Sequence, residues 1–180
     1  NNIMLKKIIL VIFITFMCSL SYSQSSNGWS IFTSLRETKG ISLGGNLVWA
    51  ATSGGLFNFD VNNSANIKKY TSLDGLRSNE LTAVSTGSNG LVWAGAFDGS
   101  ISVLNTSDLS WRQITDISNS TEPSKRINAF YEYNNQMFFS TEFCIVRFNI
   151  PQFQFVDQPY TRFGNLTAPS AVYDIAVIND

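Results

Sequence analysis

The sequence predicts an all-β protein, a β-propeller with about three four-stranded blades and partial blades at both ends. Three observations support this prediction: a repeat of about 45 residues, two separate sets of positions that follow it, and four short strand patterns within a repeat. Repeats of this length with four strands each are typical of propeller blades. No stretch after the first 23 residues shows sustained helical periodicity.

The first set of repeated positions is an apolar strand with an aromatic residue at its centre. Trp93 follows Trp49 by 44 residues, within the matching stretches LVWAG and LVWAA, and Phe138 follows after a further 45. A second set recurs at separations of 46 and 45 residues, in 81–84, 127–130 and 172–175. Because two independent anchors share nearly one period, chance similarity is a poor explanation of the pattern.

The middle repeat shows the strands of one blade. Four strand patterns follow one another in it, at 81–86, 91–96, 100–104 and 111–115. The pairs Asn89-Gly90 and Asp98-Gly99 separate the first three patterns, and such pairs supply the positive φ angles that tight hairpins require. The predicted blades extend over residues 41–80, 81–126 and 127–170.

Strand patterns also precede and follow the three blades. Residues 29–33 (WSIFT) resemble the fourth strand at 111–115 (WRQIT), as expected for a leading strand that closes a ring. Residues 172–178 resemble a first strand, which places the start of a further blade at 171–180. Propellers have typically four to eight blades. We therefore expect residues 24–180 to be a partial propeller from a larger protein.

The N-terminus predicts export. Two lysines precede an apolar run at 8–17, and Ser21 and Ser23 form a cleavage-site pattern. This predicts a signal peptide over residues 1–23 and a periplasmic, cell-surface or secreted location for the remainder. A membrane anchor is the rival interpretation, although the run is shorter than the about 20 residues that a span needs. Lipid attachment at Cys18 fits less well because bulky residues precede it.

Composition narrows the functional classes. The net charge of −1 provides no basic surface for nucleic acid, and the chain contains no histidine, the commonest general base and metal ligand. After signal removal Cys144 is the single thiol, and its apolar neighbours predict a buried structural residue rather than a nucleophile. The sequence contains no G-x-S-x-G turn that would indicate an activated serine, and nothing in it pairs the carboxylates that glycoside cleavage requires. We therefore predict no enzyme activity, no cofactor and no metal.

These stretches resemble the two-component regulator propeller repeat family. The resemblance rests on LVWAG at 91–95, the glycine turn at Gly99 and the sequence GLRSNEL at 75–81. The family's repeat has an apolar-Trp-small-Gly strand, a glycine turn and a Gly-Leu-x-x-Asn loop before the next blade. The match extends over about residues 40–168 and is weaker in the third blade, where Phe138 stands in place of tryptophan.

The resemblance implies one of two settings. Such propellers form the periplasmic, glycan-sensing half of hybrid histidine kinases, or they are secreted or surface proteins of Bacteroidetes-like bacteria, including a propeller protein of the type IX secretion attachment complex. We expect a non-enzymatic exported binding or assembly module of a surface or secretion-system protein. The alternatives are a glycan-sensing ectodomain of a hybrid two-component histidine kinase, and the propeller part of a polysaccharide-active enzyme.

The candidate ligand-binding residues lie on the loops that join the fourth strand of one blade to the first strand of the next. Polar groups on loops above a rigid scaffold commonly bind ligands, although ordinary solvated charges are the alternative. The loops are 34–39, 72–80, 116–126 and 162–170, and their charged candidates are Arg36, Asp74, Arg77, Glu122, Lys125, Arg126 and Arg162. The recurring aromatic residues are instead expected in the core rather than on a sugar-stacking platform.

The expected partner of these loops is an envelope protein or a glycan. Nucleic acid is excluded by charge, and membrane association is expected only through parts of the protein outside this sequence.

Overall fold

Three antiparallel sheets make up the computed structural model, which describes residues 30–166 and 168–178. Each sheet contains four strands that neighbour one another in chain order. No described residue is helical. The molecule is therefore an open, partial β-propeller, and the fold class predicted from the repeat is confirmed.

Twelve strands form the three blades. Blade 1 consists of β1 (Thr38–Gly44), β2 (Leu47–Thr52), β3 (Gly55–Asp60) and β4 (Asn63–Tyr70). Blade 2 consists of β5 (Leu81–Thr86), β6 (Leu91–Ala96), β7 (Ile101–Asn105) and β8 (Trp111–Ile114). Blade 3 consists of β9 (Ile127–Tyr133), β10 (Gln136–Thr141), β11 (Ile145–Asn149) and β12 (Gln154–Phe155). The first blade begins before the predicted residue 41, while the strands of blade 2 agree with the prediction to within one residue.

The first strand of every blade contains a bulge near its start. The residue left without a partner on the second strand is Lys39, Thr82 or Asn128 in the three blades. In blade 2, Thr82 Oγ1 donates to Ile127 O of blade 3 at 2.6 Å, and Asn128 Nδ2 donates in turn to Val172 O at 2.9 Å. In blades 2 and 3 the bulged residue thus links its strand to β9 and to the segment at 171–178, respectively.

Successive blades pack face to face through two apolar clusters. Trp49 and Leu56 of blade 1 pack with Val92 of blade 2, and Trp93 of blade 2 packs with Phe139 of blade 3. Because side chains alternate along a strand, Val92 faces the preceding blade while its neighbour Trp93 faces the following one. The middle blade is therefore buried on both sides.

The recurring aromatic residues differ in burial. Trp49 and Trp93 are buried in the two blade interfaces, as predicted. Trp111 is half-buried and meets the Tyr70 ring edge-on at 5.9 Å between centroids. Phe138 is also half-buried, because it faces away from blade 2 and no further sheet among the described residues covers that side of blade 3.

The segments that flank the three blades, residues 30–37 and 171–178, form no strand. The first lies against blade 1, where Thr33 O accepts a hydrogen bond from Lys69 Nζ at 3.1 Å. The second lies against blade 3, where Val172 N donates to Thr141 O at 2.9 Å. The strands predicted at 29–33 and 172–178 are thus absent from the described residues, since a strand needs a neighbour to complete its backbone ladder. Trp29 and the predicted signal peptide lie outside the described residues.

Candidate functional site

One end of each blade, which we call the loop face, holds the turns between second and third strands and the loops that lead to the next blade. Backbone hydrogen bonds join these two kinds of connection: Phe97 N donates to Glu80 O at 3.0 Å, and Glu142 N donates to Arg126 O at 3.2 Å. The seven predicted site residues all belong to loops of this face: Arg36, Asp74, Arg77, Glu122, Lys125, Arg126 and Arg162.

The seven residues differ in how free their side chains are. Asp74 and Lys125 hold their own loops, because Asp74 Oδ2 accepts from Thr71 N at 2.7 Å and Lys125 Nζ donates to Ser118 O at 2.7 Å. Glu122 and Arg126 are half-buried, and Arg126 Nε is buried without a partner. The remaining three are exposed, and their guanidinium groups bind no described residue: Arg36, Arg77 and Arg162.

The Gly-Leu-x-x-Asn stretch explains the shape of the loop between blades 1 and 2. Gly75 has a φ of +121° and lies against the Trp111 ring, where a side chain would not fit. Leu76 is buried in the interface between blades 1 and 2, and Asn79 Oδ1 accepts from Ser72 N at 2.8 Å. The motif residues therefore fix the loop, while Arg77 between them points its charge to solvent.

Cys144 is a structural residue, as predicted. Its side chain is fully buried, and Thr141 Oγ1 accepts hydrogen bonds from the backbone N–H groups of Phe143 and Cys144 at 3.2 and 3.0 Å. Burial raises the pKa of the Cys144 thiol to about 11, the Thr141 hydrogen bond opposes this, and the charge of Glu122 adds a smaller increase. The thiol is therefore protonated at neutral pH and is a poor nucleophile.

Cys144 is expected to react with Ellman's reagent at pH 8 at least about 100-fold more slowly in the folded protein than in urea.

The free energy of unfolding should also fall as the pH rises from 9 to 11, because the folded state holds the thiol proton more tightly than the unfolded chain does. Both are compared with a Cys144→Ala control, in which the slowly reacting thiol and its contribution to the pH dependence should be lost. Rapid labelling of the folded protein would contradict the assignment.

The opposite end of the blades, which we call the hairpin face, holds the turns between first and second and between third and fourth strands. A cleft of about 350 Å³ opens there between blades 2 and 3. Its lining includes the apolar Leu91 and Ile150, the polar Asn89 and Asn105, and the charged Arg112 and Glu132. The cleft thus mixes polar and apolar side chains, and its volume lies within the range of about 300–1,000 Å³ that ligand pockets commonly have.

Arg112 and Phe153 form the most distinctive contact of this cleft. The guanidinium carbon of Arg112 lies 3.2 Å from the centroid of the Phe153 ring. Phe153 has a φ of +52°, and Leu109, which precedes it by 44 residues in the matching turn of blade 2, has a φ of +60°. Bulky residues rarely adopt this backbone conformation, which costs about 1–3 kcal/mol. Blades 2 and 3 therefore both place an apolar side chain at this turn position, although the backbone conformation is unfavourable for it.

This cleft lies outside the loops where the repeat is broken, so none of the sequence-predicted candidates lines it. The available signal lay within the repeat, since Lys68 and Arg112 occupy the same register position 44 residues apart. Nothing in the sequence indicated that Phe153 would reach across from the next blade to meet Arg112.

The described part of the chain shows neither a metal-ligating cluster nor a helix that could span a membrane. No three side chains of the metal-ligating types His, Cys, Asp and Glu come together there. Nor does any helix within residues 30–166 and 168–178 have the length and apolarity needed to cross a membrane.

The chain matches the model of one protein family over most of its length. A family model described as the type IX secretion system (TSS9) PorZ N-terminal beta-propeller domain matches residues 48–180. The chain belongs to the PorZ N-terminal β-propeller family. The family match includes all strands of blades 2 and 3, and it extends to the flanking segment at 171–178.

Solved structures share the fold of this PorZ-family chain. PorZ of Porphyromonas gingivalis, described as an essential bacterial surface component of the type-IX secretion system, superposes with a TM-score of 0.65 at 12% identity, over 72% of this chain and 17% of that one. The extracellular domain of a B. thetaiotaomicron protein described as a hybrid two-component system gives a TM-score of 0.60 at 15% identity, over 69% and 17%. A second such domain from that organism gives 0.56 at 21%, over 72% and 18%.

This chain therefore spans less than a fifth of the length of those three solved proteins. A search of the curated proteins found no match.

Proposed function

We propose that this chain is part of an exported, non-enzymatic propeller that binds an envelope partner in a surface or secretion-system protein. The observation that supports this most is the PorZ family match over residues 48–180. The solved PorZ is described as a surface component of a secretion system, which agrees with the signal-like N-terminus of this chain. Polar loops on a rigid sheet scaffold are a common setting for binding.

The proposed docking surface is the loop face. Its exposed arginines, Arg36, Arg77 and Arg162, have no protein partner among the described residues and are free to meet acidic or hydrogen-bond-accepting groups. The loop that carries Arg77 is held by internal bonds, such as that from Ser72 N to Asn79 Oδ1 at 2.8 Å. Because the backbone of such a loop is already ordered, binding costs the ordering of the side chain but not of the loop.

Site-specific crosslinking in cells tests this proposal. A photoreactive residue in place of Arg77 should crosslink the full-length protein to a defined envelope protein, whereas the same residue in place of Ser64 on the outer strand of blade 1 should not. Ser64 is the matched control because it is also exposed but lies on β4, away from the loop face.

The other outcomes favour the other functions. Crosslinks to glycan alone would support a sensor ectodomain, and release of sugars from a polysaccharide by the purified protein would support an enzyme. Equal crosslinking from both positions would contradict the assignment of the loop face.

A further inference from the structure

We infer that the cleft on the hairpin face between blades 2 and 3 is a carboxylate-binding site for an acidic peptide segment of a partner protein. This site is separate from the loop face and goes beyond the proposed function. The juxtaposition that supports it is the stack of Arg112 on Phe153 above a floor formed by Leu91 and Ile150.

The hydrogen-bonding groups of the cleft are unevenly used. The carboxylate of Glu132 also lines the cleft, and its Oε1 and Oε2 accept from Ser88 Oγ and N at 2.5 and 2.9 Å, while Asn105 Oδ1 accepts from Ser107 Oγ and N at 2.7 and 3.0 Å. Asn89 Oδ1 likewise accepts from the backbone at 3.3 Å. Each of these oxygens therefore already accepts at least one hydrogen bond from the protein, which leaves fewer lone pairs for a ligand.

The donors of the same cleft remain open. The Arg112 guanidinium and the amide nitrogens of Asn89 and Asn105 donate to no described residue. A guanidinium offers five N–H donors in a planar fork and no acceptor. A ligand that fits these donors must bring acceptors, and a carboxylate does so with the planar geometry that arginine binds bidentately; the positive charge of Arg112 offsets the negative charge of Glu132 in the same lining.

The stack on Phe153 prepares Arg112 for this role. Phe153 is itself held by the buried Trp93, stacked at 6.3 Å, and by Phe148, edge-on at 5.0 Å. An arginine fixed on an aromatic face loses less freedom when it binds a carboxylate than one that moves freely in solvent. The positive φ of Phe153 is the backbone strain that brings its ring to this position.

The aromatic arrangement favours a peptide over a sugar. Sugar sites commonly offer an open aromatic face for stacking, but here Arg112 covers the centre of the Phe153 ring and the buried Trp93 contacts it from the core. The apolar floor of Leu91 and Ile150 instead suits an aliphatic side chain next to the carboxylate. We therefore assign the site to a glutamate or aspartate that is flanked by apolar residues.

The repeat supplies an internal comparison. An equivalent cleft lies between blades 1 and 2. Lys68 lies there at the position that Arg112 has between blades 2 and 3, and Asp60 lies at the position of Asn105. Asp60 makes the same turn bond, since its Oδ1 accepts from Asn62 N at 2.8 Å. An aspartate is thus compatible with this turn, and it places a negative charge where Asn105 offers a donor. Among the described residues, the cleft between blades 2 and 3 therefore offers an arginine fork and an amide donor where the other cleft offers a lysine and a carboxylate.

Calorimetric titration of the full-length protein tests the site. The probe is a capped pentapeptide with one glutamate between two leucines, and its glutamine counterpart is the control peptide. We expect the glutamate peptide to bind at least about tenfold more tightly than the glutamine peptide, and Arg112→Gln to remove most of that difference. Arg112→Lys should restore part of it, because it keeps the charge but loses the fork.

Two further variants separate a local effect from a general one. Asn105→Asp should abolish binding without altering the fold, because Asp60 shows that the turn accepts an aspartate. Lys39→Gln removes an exposed positive charge that is paired with Glu37 far from the cleft and should leave binding unchanged.

Three results would overturn the inference: equal binding of the two peptides, peptide binding by Asn105→Asp as tight as by the unchanged protein, or tighter binding of trigalacturonate than of the glutamate peptide. None of these results would affect crosslinking from position 77, so the two proposals fail separately.

Discussion

Replacement of Trp93 by alanine is expected to lower the free energy of unfolding by about 3–5 kcal/mol. The Trp93 side chain has 0% exposure, and its ring contacts those of Phe139 and Phe148 at centroid distances of 5.8 and 5.7 Å. Removing the indole leaves a cavity at the centre of the interface between blades 2 and 3. Since typical domains are stable by only about 5–15 kcal/mol, this single change should remove a large fraction of the total.

Urea unfolding followed by circular dichroism measures this effect. Phe32→Ala is the control because Phe32 is 96% exposed, and it should change the free energy of unfolding by less than about 0.5 kcal/mol. Trp93→Phe should cost less than Trp93→Ala, because it keeps most of the ring contacts and removes an indole N–H that is buried without an acceptor. A loss below about 1 kcal/mol for Trp93→Ala would show that blades 2 and 3 do not depend on this contact.

Gly75→Ala is expected to lower the free energy of unfolding by about 3 kcal/mol, from backbone strain and steric overlap together. The φ of +121° at Gly75 is one that side-chain-bearing residues rarely adopt, and an added Cβ would lie 2.4 Å from Cδ1 of Trp111. Neither problem can be relieved locally, because Gln113 Nε2 donates to Gly75 O at 2.6 Å and Leu76 is anchored in the core.

Gly45→Ala separates the two contributions in the same unfolding experiment. Gly45 also has a positive φ, +61°, but nothing lies within 4 Å of its added Cβ. This substitution should therefore cost only about 1 kcal/mol, the price of the left-handed conformation alone. Similar losses for the two variants would contradict the role assigned to the Trp111 contact.

The repeat made most of the fold predictable from the sequence. Trp49 and Trp93 recur because each lies at the same place in a blade interface, and the strands of blade 2 were located to within one residue. The apolar neighbours of Cys144 likewise predicted its burial. Such features are local or periodic, and a linear pattern records them directly.

The seven candidate residues on the loop face show where such patterns stop. Sequence placed Asp74 and Lys125 beside Arg77 as equal candidates, yet the first two are engaged by Thr71 and Ser118 of their own loops. Charge and loop position are visible in a sequence, but the partner of a charged side chain is not. Binding by the remaining arginines stays a prediction that crosslinking can test.

The all-β class, the blade period, the burial of Trp49 and Trp93 and the lack of histidine were all visible in the amino-acid pattern. The stack of Arg112 on Phe153, the unused donors of their cleft and the lack of strands in the flanking segments became visible only in three dimensions. The reason is physical: periodicity specifies how each strand pairs within its own blade, whereas a cleft arises from the contact of two blades. The side chains that meet there are 41 residues apart and share no local pattern.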